Sequence, residues 1–252
     1  MTNTAKIKEH LIIALDTSSE DDVISLIEKL KDKVGYFKVG LELFTYFGPR
    51  IIQVIKDHGN KVFFDGKFMD IPNTVSKAVS NIVRHKADML NVYMSGGKKM
   101  LELARDSMLQ TAKEYNLPPP KLLGVTVLTS ITNDVLQNDL KVKAQLEEYV
   151  LHLAKFAVQV NLNGIICSPN EARIICEICK ENKDFLIVTP GVRPAWAETN
   201  DQERISTPRD AILNGATHIV VGRPVTVSDD PRGTVEKILE EIEEAINMSQ
   251  RA

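Results

Sequence analysis

The sequence predicts a single closed (β/α)8 barrel. Three observations carry that expectation. Eight short apolar runs alternate with longer amphipathic segments from one end of the 252 residues to the other. The runs are nearly continuous in hydrophobicity, as parallel strands covered on both faces require. The first run is followed by "ALDTSSEDD", which lacks the glycine fingerprint that often follows the first strand of an open doubly wound sheet. A chain of about 250 residues is the usual size of such a barrel. No linker, composition shift or low-complexity segment divides it. Residues 1–252 are therefore expected as one domain, with 1–10 as an N-terminal extension and 193–207 as a loop on the phosphate side of the active face.

The strands are expected at Leu11–Asp16, Tyr36–Gly40, Lys61–Asp65, Asp88–Met94, Lys121–Thr129, Gly164–Ser168, Phe185–Gly191 and Thr217–Gly222. The first helix, Ser19–Lys31, opens on a Ser/Glu/Asp-rich start that caps well. The second, Leu41–His58, stops at Gly59. Asn73–His85, Lys98–Glu114, Lys143–Asn161 and Asn170–Glu181 follow. Pro208–Asn214 ends at Gly215, and Thr234–Asn247 closes the chain. Pro118–Pro120 breaks the chain before the fifth strand.

Composition narrows the function classes. The chain is 43% hydrophobic and 26% charged, with a formal net charge of -3. No global positive field recruits a nucleic-acid polymer or an anionic membrane. The N-terminal apolar run, Leu11–Leu15, is too short for a signal or a membrane span, so the expected location is the cytoplasm. Cys176 and Cys179 form a C-x-x-C, but "EARIICEICKEN" reads as an amphipathic helix. With no second Cys/His pair nearby, core packing is expected rather than a metal or redox site.

In a barrel the C-terminal strand ends form the active face. Those ends carry Asp16, Lys38, Asp65, Lys67, Tyr93, Thr129, Ser168, Arg193 and Arg223, of which six are ionised at neutral pH. Singly, each has an ordinary explanation. Asp16 could cap a helix, Lys38 could snorkel, Asp65 and Lys67 could pair on one face of an extended segment, and Asp70 could cap the helix after "IPNT". Together, six charges gathered at the barrel mouth point to a site. "IVVGRPVT" places Gly222 and Arg223 after the last strand, where barrels commonly bind phosphate through backbone N–H groups. "TPGVRP" brings Arg193 beside it, and the loop beyond offers Gln202.

The chain resembles the orotidine 5′-monophosphate decarboxylase family over nearly its full length. The family's D-x-K-x-x-D-I-P-N-T block stands as "DGKFMDIPNT", accompanied in order by "FKVGLEL", "VTVLTS", "TPGVRP", "DQERISTP" and "VVGRPVT". The resemblance implies decarboxylation of orotidine 5′-monophosphate to UMP, in pyrimidine biosynthesis, without a cofactor or metal. It implies that Lys67 donates the proton, flanked by Asp65. Asp16 and Lys38 would bind the ribose hydroxyls, and Thr129 would contact the pyrimidine. Gln202, Arg223 and the backbone at Gly222 would hold the phosphate, beside Arg193. Asp70 and Thr74 would reach the neighbouring site of a homodimer. Lys38, Asp65, Lys67 and Asp70 are expected as an alternating charge array.

The chain departs from the family pattern at four positions. Gly66 stands where Leu is usual and Met69 where His is frequent, while Tyr93 and Met94 replace the last two residues of N-V-H-A. Gly66 is expected to loosen the segment that aims Asp65 and Lys67. Two rival functions remain at this stage. Related metal-dependent sugar-phosphate decarboxylases and synthases carry a metal-binding Glu where this chain has Lys38, an ammonium that repels Mg2+. A non-catalytic nucleotide or phosphate sensor would need the phosphate grip but not Lys67 among carboxylates.

Overall fold

The computed structural model describes residues 6–17, 19–196 and 206–249. Eight parallel strands close into a barrel in chain order. They are β1 (Leu11–Ala14), β2 (Tyr36–Val39), β3 (Lys61–Phe68), β4 (Met89–Tyr93), β5 (Lys121–Val125), β6 (Gly164–Ile166), β7 (Leu186–Thr189) and β8 (His218–Val221). β8 returns to pair with β1, so no edge is left open.

The helices form the outer ring. They are α1 (Glu20–Leu30), α2 (Leu41–Phe47), α3 (Arg50–Asp57), α4 (Pro72–Arg84), α5 (Lys98–Glu114), α6 (Leu146–Gln159), α7 (Pro169–Cys179), α8 (Pro208–Leu213), α9 (Arg223–Thr226) and α10 (Pro231–Ser249). α1 shows how sequence sets such a helix. The Ser19 side chain accepts the Asp22 N–H at 3.3 Å, and Val23, Leu26, Ile27 and Leu30 recur at helical spacing on the buried face.

Two expectations are corrected here. The helix expected over Leu41–His58 is two helices, α2 and α3. Gly48 turns out of the helical region at φ 65° and ψ -161°, and Pro49 begins the next helix without an N–H to continue the first. The strands are also mostly shorter at their C-terminal ends than the apolar runs, because the last residues of each run bend into the mouth. β3 is the exception and runs on to Phe68. Beyond β5 the chain leaves the sheet and forms a single π-helical turn, Val135–Asp139, that no periodicity announced. The three cysteines are free, with Cys167 and Cys179 buried.

The core has two compartments. Leu11, Ile13, Phe37, Val39, Val62 and Phe64 face outward into the layer beneath the helices. Ile12, Ala14, Tyr36, Phe63, Met89, Leu123, Val125, Ile166, Val188 and Val220 fill the lumen. The alternation follows from the strand period of two, and it fixes which residue of each strand surfaces at the mouth.

The N-terminal end of the barrel is closed by polar rings. His218 packs edge-on against Tyr36, with centroids 5.8 Å apart, and lies 6.1 Å from His10. His10 Nδ1 lies 2.6 Å from the Thr217 carbonyl, and Lys61 pairs with Glu9 at 2.6 Å while standing over the Tyr36 ring. Burial, then the charges of His10 and Lys61, lower the His218 pKa to about 3. An unfolded histidine titrates near 6.5, so the unfolded chain binds a proton that the folded one refuses. Stability from this site should be intact above about pH 6.5 and fall as pH drops toward 3. His218→Gln, which cannot titrate, should therefore lose less stability than the parent between pH 7 and 4.5. The difference in urea unfolding should be about 2.5 kcal/mol at most; a greater loss in the variant would contradict the assignment.

Candidate functional site

The lumen parity that buries Ile12, Ala14, Tyr36 and Phe63 brings Lys38 and Asp65 to the next layer up, with Asp16 at the mouth. There Lys38 Nζ lies 3.0 Å from Asp16 Oδ1 and 3.6 Å from Asp65 Oδ2. Lys67 Nζ lies 2.7 Å from Asp65 Oδ1. The result is a line of four charges of alternating sign, Asp16, Lys38, Asp65 and Lys67. It is graded in solvation, since the side chains of Lys38 and Asp65 are 10% and 12% exposed and that of Asp16 is 47% exposed. Gly40 makes the first contact possible. A Cβ there would stand 2.8 Å from Lys38 Nζ and 3.2 Å from Asp16 Oδ1.

β3 does not present Asp65 and Lys67 as neighbours on one face of a regular extended segment. Phe64 pairs with Leu90 and Phe68 with Val92, so Asp65, Gly66 and Lys67 intervene on β3 where only Asn91 intervenes on β4. This bulge turns Lys67 to φ 49°, a left-handed conformation uncommon for a side-chain-bearing residue. Its ammonium folds back onto Asp65. Asn91 faces the bulge and is fully buried. Its Oδ1 accepts the Lys67 N–H at 2.7 Å, and its Nδ2 donates to Asp65 Oδ1 at 2.7 Å.

Gly66 stands against a space that is already filled. A Cβ at residue 66 would collide with the Phe64 ring. That ring is held edge-on by Phe44 at 4.8 Å and tilted against Phe68 at 5.5 Å. The aromatic ring occupies the space that a larger residue 66 would need. Met69, at another departure from the family pattern, is exposed, and its sulfur accepts from Ser95 Oγ at 3.6 Å.

Burial alone would raise the Asp65 pKa. Lys38 and Lys67, with hydrogen bonds from Lys67 and Asn91, more than offset that and hold it below the usual aspartate value. Tyr93, at the top of β4, is pushed the other way, first by burial and then by the Asp65 charge.

Two lobes of a cleft meet at this line of charges. One, of about 250 Å3, is floored by Phe63, Val125, Ile166, Val188 and Val220, with Thr129 at its rim. The other, of about 230 Å3, is bounded by Asp16, Arg193, Gly222 and Arg223. Lys38 and Asp65 line both. Arg193 is 3% exposed, and its backbone N–H donates to the Ser206 carbonyl at 2.9 Å. Gly222 precedes the short helix α9, so Arg223 begins that helix at the edge of the lobe.

Asp70 and Thr74 lie elsewhere. Asp70 is exposed beyond the end of β3, its Oδ1 accepting the Ile71 N–H at 2.6 Å, and Thr74 is exposed on α4. Within its own chain, Asp70 therefore does not join the array expected with Lys38, Asp65 and Lys67, nor does its side chain cap α4. Gln202, and most of the loop expected at 193–207, lie outside the described residues. Sequence reasoning missed the roles of Asn91 and Gly40. A signal for Asn91 existed, because it is the one polar residue inside "MLNVY" and has the parity of the lumen residues Met89 and Tyr93. Among the described residues, no group of three or more His, Cys, Asp or Glu could hold a metal ion, and no helix is long and apolar enough to cross a membrane.

Comparison with known proteins settles the kinship. Residues 9–238 match the Orotidine 5′-phosphate decarboxylase / HUMPS family. The chain belongs to that family. An orotidine 5′-phosphate decarboxylase of Nostoc sp. is 42% identical over 234 residues, 93% of this chain and 97% of the relative. One from Syntrophotalea carbinolica is 44% identical over 239 residues, 95% and 97% of the two chains. The crystal structure of the orotidine 5′-phosphate decarboxylase from Lactobacillus acidophilus superposes with a TM-score of 0.79 at 37% identity, covering 92% of this chain and 98% of that one. The fold is thus shared with that structure.

Gly40 offers a direct check on the line of charges. Its φ of -91° and ψ of -175° suit alanine, and the nearest obstruction is the mobile end of Lys38. Gly40→Ala should therefore fold, yet displace Lys38 and raise the pH at which Asp65 titrates, followed by carboxyl 13C NMR. An unmoved titration would mean that Lys38 keeps its place beside Asp65.

Proposed function

We propose that this chain decarboxylates orotidine 5′-monophosphate to UMP with its own side chains alone, Lys67 delivering the proton. It is a carboxy-lyase on this reading, working as a homodimer in the cytoplasm. The observation that carries the proposal is Asp65, buried with ammonium groups at 2.7 and 3.6 Å. Structural stability alone does not call for such an arrangement, since buried ion pairs are often neutral or unfavourable against apolar packing. Its relatives bear the name of the same enzyme.

In this mechanism the phosphate occupies the lobe of Arg193, Gly222 and Arg223, with Gln202 as a further donor. Asp16 and Lys38 take the ribose hydroxyls. The pyrimidine enters the apolar lobe beside Thr129, which directs C6 and its carboxylate toward Asp65 and Lys67. The C6–carboxylate bond breaks heterolytically, CO2 departs, and the electron pair stays on C6. The Lys67 ammonium attracts that developing charge and then transfers its proton to C6, giving UMP. Solvent returns a proton to Lys67 after product leaves. The exposed positions of Asp70 and Thr74 fit a role at the neighbouring subunit's site, where Asp70 would add the second carboxylate beside Lys67. Phosphate binding remote from the reacting bond supplies energy for excluding water around it.

Lys67→Ala should remain folded by circular dichroism and lose decarboxylation by about 10^4-fold or more, read as loss of the substrate's ultraviolet absorbance. Near-parental turnover would overturn the mechanism. Arg223→Ala should reduce kcat/KM for the nucleotide about a hundredfold while leaving the unphosphorylated nucleoside almost unaffected. An equal loss on both would remove Arg223 from the phosphate site. Turnover should also survive excess EDTA; loss restored by Mg2+ would move the chain to the metal-dependent reading.

A further inference from the structure

The buried amide of Asn91 is not among the groups used in the reaction above, yet it touches both halves of the central ion pair. The Asp65 carboxylate can only accept hydrogen bonds and the Lys67 backbone N–H can only donate one. A single orientation of the amide satisfies both, with Nδ2 toward Asp65 and Oδ1 toward Lys67, each at 2.7 Å. Asp65 Oδ1 is also the oxygen that receives Lys67 Nζ at 2.7 Å. The four groups close a ring: Lys67 backbone, Asn91, Asp65 and the Lys67 ammonium.

We propose that Asn91 is a positioning residue, whose carboxamide locks the Asp65 carboxylate and the bulged Lys67 backbone into one unit and so holds the ammonium at a fixed point over the cleft. The consequence for turnover rests on the decarboxylase reading. Few side chains meet both demands. Asp would set a second carboxylate against Asp65, and Leu would leave both polar partners without a hydrogen bond. Ala would free Lys67 from the contact that restrains its φ of 49°. Asn91 has no solvent exposure, so bulk water does not substitute for it. It is also not among the residues lining either lobe, which separates its effect from substrate binding.

The groups facing Asp65 are Lys38 from β2, Lys67 from β3, and Tyr93 and Asn91 from β4, with Asp16 behind Lys38. Of these, Asn91 is an uncharged donor whose removal leaves all the neighbouring charges in the chain. Its loss should therefore make Asp65 easier to protonate without deleting a member of the charge line.

The test compares the parent with Asn91→Ala and Asn91→Asp. In Asn91→Ala, kcat should fall at least about tenfold, while the UMP dissociation constant changes less than about threefold. In Asn91→Asp, which keeps the acceptor for Lys67 but opposes Asp65, the acid limb of kcat should move up by about one pH unit or more. Carboxyl 13C NMR should show Asp65 in Asn91→Ala titrating at higher pH than in the parent, a readout that needs no turnover. An unmoved Asp65 titration, or kcat within twofold of the parent with an unshifted acid limb, would overturn the proposal. So would parallel losses of kcat, UMP affinity and folded signal, which mark a merely structural residue. A parent protein that does not consume orotidine 5′-monophosphate would withdraw the decarboxylase reading, and the Asp65 titration would then decide the role of Asn91 by itself.

Discussion

A carboxylate taken out of water and held between two ammonium groups is the constraint on which the mouth of this barrel depends. Asp65 in isolation would be driven toward its neutral form by burial. It stays charged because Lys38, Lys67 and Asn91 converge on its two oxygens from three strands. That convergence sets demands on the backbone around it. Gly40 leaves room for the Lys38 ammonium, and the β3 bulge turns Lys67 back over its own strand. Lys67 in turn accepts an uncommon backbone angle that Asn91 restrains. Strain of this kind persists where surrounding contacts over-determine the conformation.

Much of the architecture was legible in the sequence. The count and order of strands followed from apolar runs, because parallel strands buried on both faces leave a plain hydrophobic signature. The Lys98–Glu114 helix was delimited to the residue. The departures have local causes. At Gly48–Pro49, helical hydrophobic spacing continues on both sides of a break that only backbone chemistry imposes. At the strand tops, lumen-facing residues keep an apolar or alternating pattern after pairing has ended, so the runs overstate the strands.

The site was legible as a set of charges but not as a geometry. Asp16, Lys38, Asp65 and Lys67 do meet, whereas Asp70 of the same chain points away into solvent. A spacing of two residues suggested a shared face for Asp65 and Lys67. Their contact is made by a bulge that sequence alone does not reveal. The packing at Gly66 was hidden because its space is filled by the ring of Phe64, two residues earlier, whose direction could not be read from the sequence. Asn91 was hidden because one amide within an apolar strand resembles an ordinary satisfied core polar group. Its significance comes from the three residues of β3 opposite it.

The lumen packing has a consequence for how this scaffold can change. Phe63, Val125, Ile166, Val188 and Val220 are at once interior packing and, on the proposed function, the surface on which a bound ring would rest. Cleft depth is therefore governed by the bulk of hydrocarbon beneath it, independently of the ionised rim. Adding a methylene to that layer would lift the ligand, and removing one would let it sink, with every charged residue unchanged. Divergence toward larger or smaller heterocycles could begin among these aliphatic and aromatic residues.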